Sequence, residues 1–193
     1  MKELKCIVFS MLTLLGTINV SGVTFDYDFM YGPLTYKIVS VKDRIAIPYE
    51  IAEEVEYLEI PYSVEYEGVV FNVPEVGYLY GDRKRIKDVK VCEGITKLDD
   101  TFKLFSSLET VSLPSTLTEL GGTFEECTSL QSFVIPKSVE YITGALFSGC
   151  TSLSEVVFEG NPQLNTGDYW GELYPRWKMI LKRKLKKIHC FLM

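Results

Sequence analysis

Apolar residues recur along the middle of the chain with a period of 22 or 23 residues. Rows begin at Ile86, Leu108 and Leu130, and a partial row begins at Leu153. In each full row apolar residues occupy positions 1, 4, 6, 10 and 13, and an aromatic residue follows near position 17. An earlier row of 31 residues begins at Val55. A single coil of this size cannot bury its apolar side chains, whereas stacked coils can, so the pattern predicts a repeat solenoid of about four coils.

The rows share a motif that places phenylalanine, cysteine and leucine in one frame. "FEECTSL" begins at Phe124, and "FSGCTSL" begins 23 residues later at Phe147. Each motif ends one coil and supplies the first leucine of the next, which favours a structural role over a thiol nucleophile. The structural repeat positions are Leu108, Leu113, Phe124, Cys127, Leu130, Ile135, Phe147, Cys150 and Leu153.

The repeats resemble the BspA-like leucine-rich repeat proteins, known from the surfaces of oral and gut Bacteroidetes and from some protist parasites. The resemblance rests on "LPSTLTELGGTFEECTSL" and "IPKSVEYITGALFSGCTSL" and covers residues 55–165. The first full row departs from the pattern, with Cys92 in place of the proline and Phe105 in place of the cysteine. The resemblance implies a leucine-rich repeat solenoid in which each coil adds a short strand to a parallel sheet.

That resemblance also implies binding rather than catalysis, because related proteins look like adhesins. The expected partners are surface proteins of a host or neighbouring cell, or extracellular matrix. In a strand, alternate side chains point outward, so stacked strands form a continuous surface. The candidate ligand-binding face therefore consists of Asp88, Lys90, Thr110, Ser112, Ser132, Val134, Glu155 and Val157.

Four segments follow from this frame. Residues 1–22 combine Lys2 and Lys5 with an apolar run of about 12 residues, too short to span a membrane, and predict a signal peptide and a secreted or cell-surface location. Residues 23–54 alternate in short stretches and predict an N-terminal β cap. Residues 55–165 form the solenoid, with a hairpin insertion at "YEGVVFNV" that turns at Gly68. Residues 166–193 form a basic tail.

The tail places apolar residues at steps of three or four after Pro175, which predicts a basic amphipathic helix. These residues are Trp177, Ile180, Leu181, Leu185, Ile188 and Leu192. Three interpretations stay open: a cap on the solenoid end, loose association with an anionic membrane surface, or a segment that is not native to the fold.

Charge and composition exclude several classes of function. Residues 22–173 hold 11 Lys and Arg against 25 Asp and Glu, a net charge of −14, which disfavours nucleic acid. The only histidine is His189 in the tail, so the body has no Ser-His-Asp or Cys-His arrangement. No zinc spacing, phosphate loop or EF-hand pattern occurs. We therefore expect no catalytic residue, cofactor or metal.

Two questions remain open at this stage. A disulfide between Cys127 and Cys150 is geometrically allowed, because parallel strands lie about 4.8 Å apart, but buried free cysteines also pack well. The alternative function is a carbohydrate-binding accessory module of a secreted glycan-degrading system. In that case sugar would meet the acidic segment from Glu50 to Glu59 or the tryptophans Trp170 and Trp177.

Overall fold

The structure is a computed structural model that describes residues 17–20, 23–165 and 178–181, with side-chain environments from Tyr27 to Gln163. Within these residues all regular structure is strand. The strands are β1 Thr17–Val20, β2 Val23–Asp26, β3 Asp28–Tyr31, β4 Leu34–Ser40, β5 Ile45–Ile51, β6 Tyr57–Ile60, β7 Ser63–Tyr66, β8 Val69–Asn72, β9 Glu75–Val76, β10 Tyr80–Gly81, β11 Asp88–Val91, β12 Lys97–Asp99, β13 Thr110–Ser112, β14 Glu119–Gly121, β15 Ser132–Ile135, β16 Tyr141–Thr143, β17 Glu155–Phe158, β18 Gln163–Asn165 and β19 Lys178–Leu181.

Successive coils stack in parallel register through two series of strands. The first series, which we call the first ladder, comprises β6, β11 and β13 in one sheet and β15, β17 and β19 in a second sheet. The second ladder is one sheet of five strands in the order β18, β16, β14, β12, β9. The predicted solenoid and its short parallel sheet are therefore confirmed, and the fold adds a second sheet that the repeat pattern did not predict.

The core lies between the two ladders and contains the predicted repeat positions. Phe102, Phe124 and Phe147 stack from coil to coil, with ring centroids 5.7 Å apart at each step. The buried hydroxyl of Thr101 donates a hydrogen bond of 2.7 Å to the Val76 carbonyl of the preceding coil. The hydroxyl of Thr123 repeats this contact to the Leu98 carbonyl at 3.2 Å. Apolar stacking and these bonds together fix the register of the coils.

The N-terminal cap is a curled sheet in the order β3, β4, β5, β8, β7, with β10 also paired to β5. Its interior contains Phe29, which stacks on Tyr66 at 4.5 Å and on Tyr36 at 5.6 Å. The Tyr36 hydroxyl is buried without a hydrogen-bond partner among the described residues. Strands β7 and β8 belong to the predicted insertion, so the first coil itself contributes to the cap.

The insertion is the predicted hairpin. Strands β7 and β8 pair antiparallel from Tyr66 opposite Val69 to Ser63 opposite Asn72. The two turn residues, Glu67 and Gly68, have φ angles of 51° and 74°. Two successive positive φ values define a type I′ turn, whose twist matches that of the flanking strands. The hairpin prediction is confirmed, with Gly68 in the turn.

The prediction of a helix after Pro175 is wrong for residues 178–181. Lys178–Leu181 form β19, which pairs in parallel with β17, so that Glu155 lies opposite Lys178 and Phe158 opposite Leu181. A strand satisfies the backbone groups along the edge of β17, which a helix on the solenoid end would leave unpaired. No helix of the described residues is long and apolar enough to span a membrane. The remainder of the predicted helix and residues 1–16 and 21–22 of the predicted signal peptide lie outside the described residues.

Candidate functional site

The predicted binding residues all lie on the outer face of the first ladder. Those on β11, β13 and β15 are exposed, and those on β17 are half-buried. The register places Asp88 beside Thr110 and Lys90 beside Ser112. Farther along, Ser132 lies beside Glu155 and Val134 beside Val157. Because β13 and β15 belong to separate sheets, the face consists of two adjoining pieces. Ligand binding by these residues stays a prediction.

Two residues of β6 extend this face beyond the predicted set. Tyr57 lies opposite Asp88, and Glu59 lies opposite Lys90. The Tyr57 side chain is 50% exposed. The sequence contained the signal for both, because the row that begins at Val55 places Leu58 and Ile60 inward and the alternate residues outward. Tyr57 supplies the aromatic residue that the predicted face lacked, and aromatic residues are enriched in protein interfaces.

Charged groups at the β6 end of the face neutralise one another. The Lys90 ammonium lies 2.7 Å from Glu59, and the Tyr57 hydroxyl and the Cys92 thiol donate hydrogen bonds to the same carboxylate at 3.3 and 3.2 Å. Hydrogen bonds from Lys90 and Cys92 hold the pKa of Glu59 below its usual value. Asp88 accepts a hydrogen bond from the Thr110 hydroxyl. The middle of the face, around Ser112, Ser132 and Val134, presents small or apolar side chains without charge. Glu155 borders it beside Ser132.

The outer face of the second ladder has a different character. Lys97 and Glu119 lie on neighbouring strands with an ion-pair distance of 3.6 Å. Tyr141 follows in the next strand and is exposed. Gly121 is buried, because the side chains of Asp99 and Thr143 close over it from both sides. This face is therefore charged and uneven, whereas the middle of the first ladder is neutral and built from small side chains.

The repeated cysteines are free and serve as packing residues. Cys127 is buried, and its thiol donates a hydrogen bond to the Phe102 carbonyl at 3.2 Å. The Cys150 thiol makes the equivalent bond to the Phe124 carbonyl at 2.9 Å. Burial raises the pKa of Cys127 far above its usual value and that of Cys150 to about 12. Since the thiolate is the nucleophile, burial makes both thiols poor nucleophiles at neutral pH.

The acidic segment is tied to the next coil. Three carboxylates before and on β6 pair with basic residues before and on β11: Glu54 with Arg85 at 2.6 Å, Glu56 with Lys87 at 3.0 Å, and Glu59 with Lys90 at 2.7 Å. This arrangement is a row of surface ion pairs rather than a pair of catalytic carboxylates. Among the described residues, no three metal-ligating side chains come together. Trp170 and Trp177 lie outside the described residues.

Comparison with known proteins identifies the repeats. Residues 78–169 match the sequence model of the BspA type leucine rich repeat region in six copies. A leucine-rich repeat protein from Bacteroides capillosus has a similar structure, with 26% sequence identity and a TM-score of 0.61 over 70% of this chain and 100% of that chain. No curated protein sequence matches the chain.

Two further solved structures share the fold. A leucine-rich repeat protein from Bacteroides ovatus is 19% identical, with a TM-score of 0.60 over 72% of this chain and 41% of that chain. The T. pallidum leucine-rich repeat protein is 21% identical, with a TM-score of 0.55 over 80% of this chain and 64% of that chain. The chain thus spans less than two thirds of the length of each of these two proteins.

Proposed function

We propose that this protein is secreted or displayed at a cell surface as an adhesin. The support is the match of residues 78–169 to the BspA type leucine rich repeat region, a repeat typical of protein-interaction proteins. The protein's partners are surface proteins of a host or neighbouring cell, or extracellular matrix. The outer face of the first ladder is the binding surface. Export rests on the predicted signal peptide of residues 1–22.

The observation that carries this proposal is the neutral middle of the first ladder. Ser112 is exposed on β13 and Ser132 on β15, in successive coils. Val134, also on β15, is 49% exposed. Small side chains let a partner approach the sheet closely, and an exposed apolar residue contributes to the interface when it is buried. Ion pairs at the β6 end supply a polar rim, with Tyr57 as an aromatic contact.

Affinity capture tests the proposal. The full chain is immobilised, incubated with extracellular matrix and mucosal extracts, and the captured proteins are identified and then titrated in purified form. The double variant Ser112→Arg, Ser132→Arg places two bulky cations in the middle of the face, and we expect its affinity to fall at least about tenfold.

The matched control is Thr151→Arg, Ser152→Arg, in an exposed turn away from the face. It makes the same change of size and charge and is expected to bind within about twofold of the unaltered chain. An equal loss of affinity in both double variants would refute the first ladder as the binding surface. Binding of matrix glycans instead of proteins would favour the carbohydrate-module alternative.

A further inference from the structure

A groove separate from the first ladder lies beside the turns of two successive coils. The loop after β10 forms one wall, and the turns near Leu104 and Glu126 form the other. We call it the turn groove, and its volume is about 270 Å³. The residues that matter for its chemistry are Asp82, Arg83, Lys84, Leu104, Ser106 and Glu126. This volume is slightly below the usual range for small-molecule sites, so the groove suits one or two sugar-sized groups rather than a folded domain.

Arg83 is held in place before any ligand arrives. Its guanidinium donates hydrogen bonds to the Tyr78 hydroxyl and, at 3.3 Å, to the Leu79 carbonyl. The guanidinium carbon also lies 5.0 Å from the centre of the Tyr78 ring. These partners carry no formal negative charge, so they fix the position of the cation without cancelling its charge. A fixed guanidinium loses less conformational entropy when it binds an anion.

The two cations of the groove form no ion pair among the described residues. By contrast, Arg85, Lys87 and Lys90, which follow them in the chain, each pair with a carboxylate. Within an acidic body, Arg83 and Lys84 therefore form a local positive site. An anion placed between them gains two favourable charge interactions, and a guanidinium suits a planar carboxylate.

The two acidic residues of the groove compete only in part with such an anion for Arg83 and Lys84. One carboxylate oxygen of Asp82 lies 3.5 Å from Arg85, and the other accepts a hydrogen bond from the Lys84 backbone amide. The Glu126 carboxylate lies against Gly149 in the next coil. A ligand with one carboxylate fits between the two cations, but a ligand with several would extend onto Asp82 and Glu126. The charge pattern therefore selects a singly anionic group.

The remaining lining favours a sugar. Tyr80 precedes Gly81, which lines the groove, and is 59% exposed. Its ring packs edge-on against Tyr78, the residue that holds Arg83, with centroids 4.8 Å apart. Such a fixed aromatic ring offers an apolar platform to the C–H face of a sugar. Ser106 adds a hydroxyl group, and the Leu104 side chain is 40% exposed. A few polar groups beside aromatic and apolar surface are typical of small-molecule sites.

We propose that the turn groove binds a saccharide with a terminal uronic acid, with the carboxylate between Arg83 and Lys84 and the sugar ring against Tyr80. This site is independent of the first ladder, so it gives the protein a second, glycan-directed contact. A peptide C-terminus presents the same carboxylate without a sugar ring, and the experiment separates the two ligands.

Isothermal titration calorimetry of the full chain with galacturonic acid, which carries a single carboxylate, tests this proposal. We expect binding that weakens at least about tenfold when the acid is replaced by its methyl ester, because the charge-assisted hydrogen bonds are lost. A tripeptide with a free C-terminus is expected to bind at least about tenfold more weakly than the sugar acid. Added salt should lower the affinity for the sugar acid, because it screens the charges, and should leave the affinity for the ester unchanged.

Four variants locate the site. Arg83→Gln and Lys84→Gln should each lower the affinity for the sugar acid about tenfold. Glu126→Gln should raise this affinity, because it removes a charge that repels the carboxylate. Lys42→Gln makes the same charge change in the N-terminal cap and should leave the affinity within about twofold. Lys84 makes no side-chain contact that the fold depends on in the described residues, so Lys84→Gln remains informative if Arg83→Gln unfolds.

Three outcomes would overturn the site. The first is no heat of binding from the unaltered chain at millimolar galacturonic acid. The second is an equal affinity for the methyl ester or the tripeptide, and the third is an equal loss of affinity in Lys42→Gln and Lys84→Gln. A result of any of these kinds leaves the first-ladder proposal unaffected, since no groove residue lies on that face.

Discussion

At the residue scale, Leu104, Glu126 and Gly149 occupy the same turn position in three successive coils. Their φ angles are 69°, 61° and 74°, all in the left-handed region. In each turn the amide two residues later donates a hydrogen bond to the carbonyl of this residue, at 2.9, 3.0 and 2.9 Å. The repeat thus imposes one backbone conformation on three different side chains. Glycine adopts this conformation without strain, whereas leucine and glutamate adopt it at a cost in free energy.

Glu126→Gly should stabilise the protein. Relief of left-handed strain contributes about 1–2 kcal/mol, and the greater freedom of glycine in the unfolded chain offsets about 0.5–1 kcal/mol. Because the Glu126 side chain is exposed and polar, little apolar burial is lost. We expect the free energy of unfolding to rise by about 0.5–1 kcal/mol in urea denaturation. The control Ser129→Gly, at a position in the same turn without positive φ, should lower it.

The thiols should show graded reactivity. In a variant with Cys6 and Cys190 replaced by serine, a thiol reagent at pH 8 should modify Cys92 first, because its thiol is less enclosed than those of Cys127 and Cys150. Burial raises the pKa of Cys127 and Cys150, so their modification should be at least about a hundredfold slower than that of an exposed thiol.

Unfolding in denaturant without a reductant should expose all three of these thiols together. Recovery of fewer than three would indicate a disulfide, in conflict with the free cysteines of the structure.

At the element scale, the first coil differs from the others because its insertion pairs with the cap. Strand β8 adds to β5 in parallel, with Ile45 opposite Asn72, and β7 closes the curled sheet near β3. The hairpin thus connects the cap to the solenoid through its own strands. Its geometry depends on the turn between Glu67 and Gly68, where glycine already occupies one of two left-handed positions.

Glu67→Asn should strengthen this hairpin. Asn-Gly is the preferred pair for a type I′ turn, because asparagine tolerates positive φ better than glutamate. The expected gain is about 0.5 kcal/mol in the free energy of unfolding, with protection of the β7 and β8 amides from hydrogen exchange increased in parallel. Gly68→Ala is the reciprocal variant and should lose about 1 kcal/mol. An unchanged exchange pattern in both variants would show that the turn does not limit hairpin stability.

At the scale of the whole molecule, the two ladders end differently. Among the described residues the last strand of the second ladder is β18, and its Asn165 is followed by residues 166–177, which the structure does not describe. The first ladder continues through β19, which covers the edge of β17. An uncovered edge strand presents unpaired backbone groups and promotes pairing between molecules. The tail therefore has a structural role at residues 178–181.

A chain ending at Asn165 should lose thermal stability and self-associate through β17. We expect a lower melting temperature and a concentration-dependent mass in sedimentation. Ile180→Pro in the full chain removes one backbone donor from β19 and should reproduce both effects partially. A truncated chain that stays monomeric and as heat-stable as the full chain would rule out β19 as a necessary cover.

The sequence determined the coil period, the inward and outward alternation of the strands and the β7–β8 hairpin, because each follows from spacing within a short segment. The buried positions of Phe124, Cys127 and Ile135 are read from that period alone. Tyr57 and Glu59 were also accessible in this way, since they lie in the frame of Leu58 and Ile60.

Only the tertiary structure decided the second ladder, the strand β19 and the turn groove. Strand β14 is three residues long, with a single buried leucine and two glycine neighbours, which is too short for alternation to reveal a strand. The spacing of Ile180 and Leu181 suited a helix, but the open edge of β17 provided backbone partners. Arg83 and Leu104 line one groove because successive coils stack. In each case contact between segments distant in the chain outweighs the local pattern.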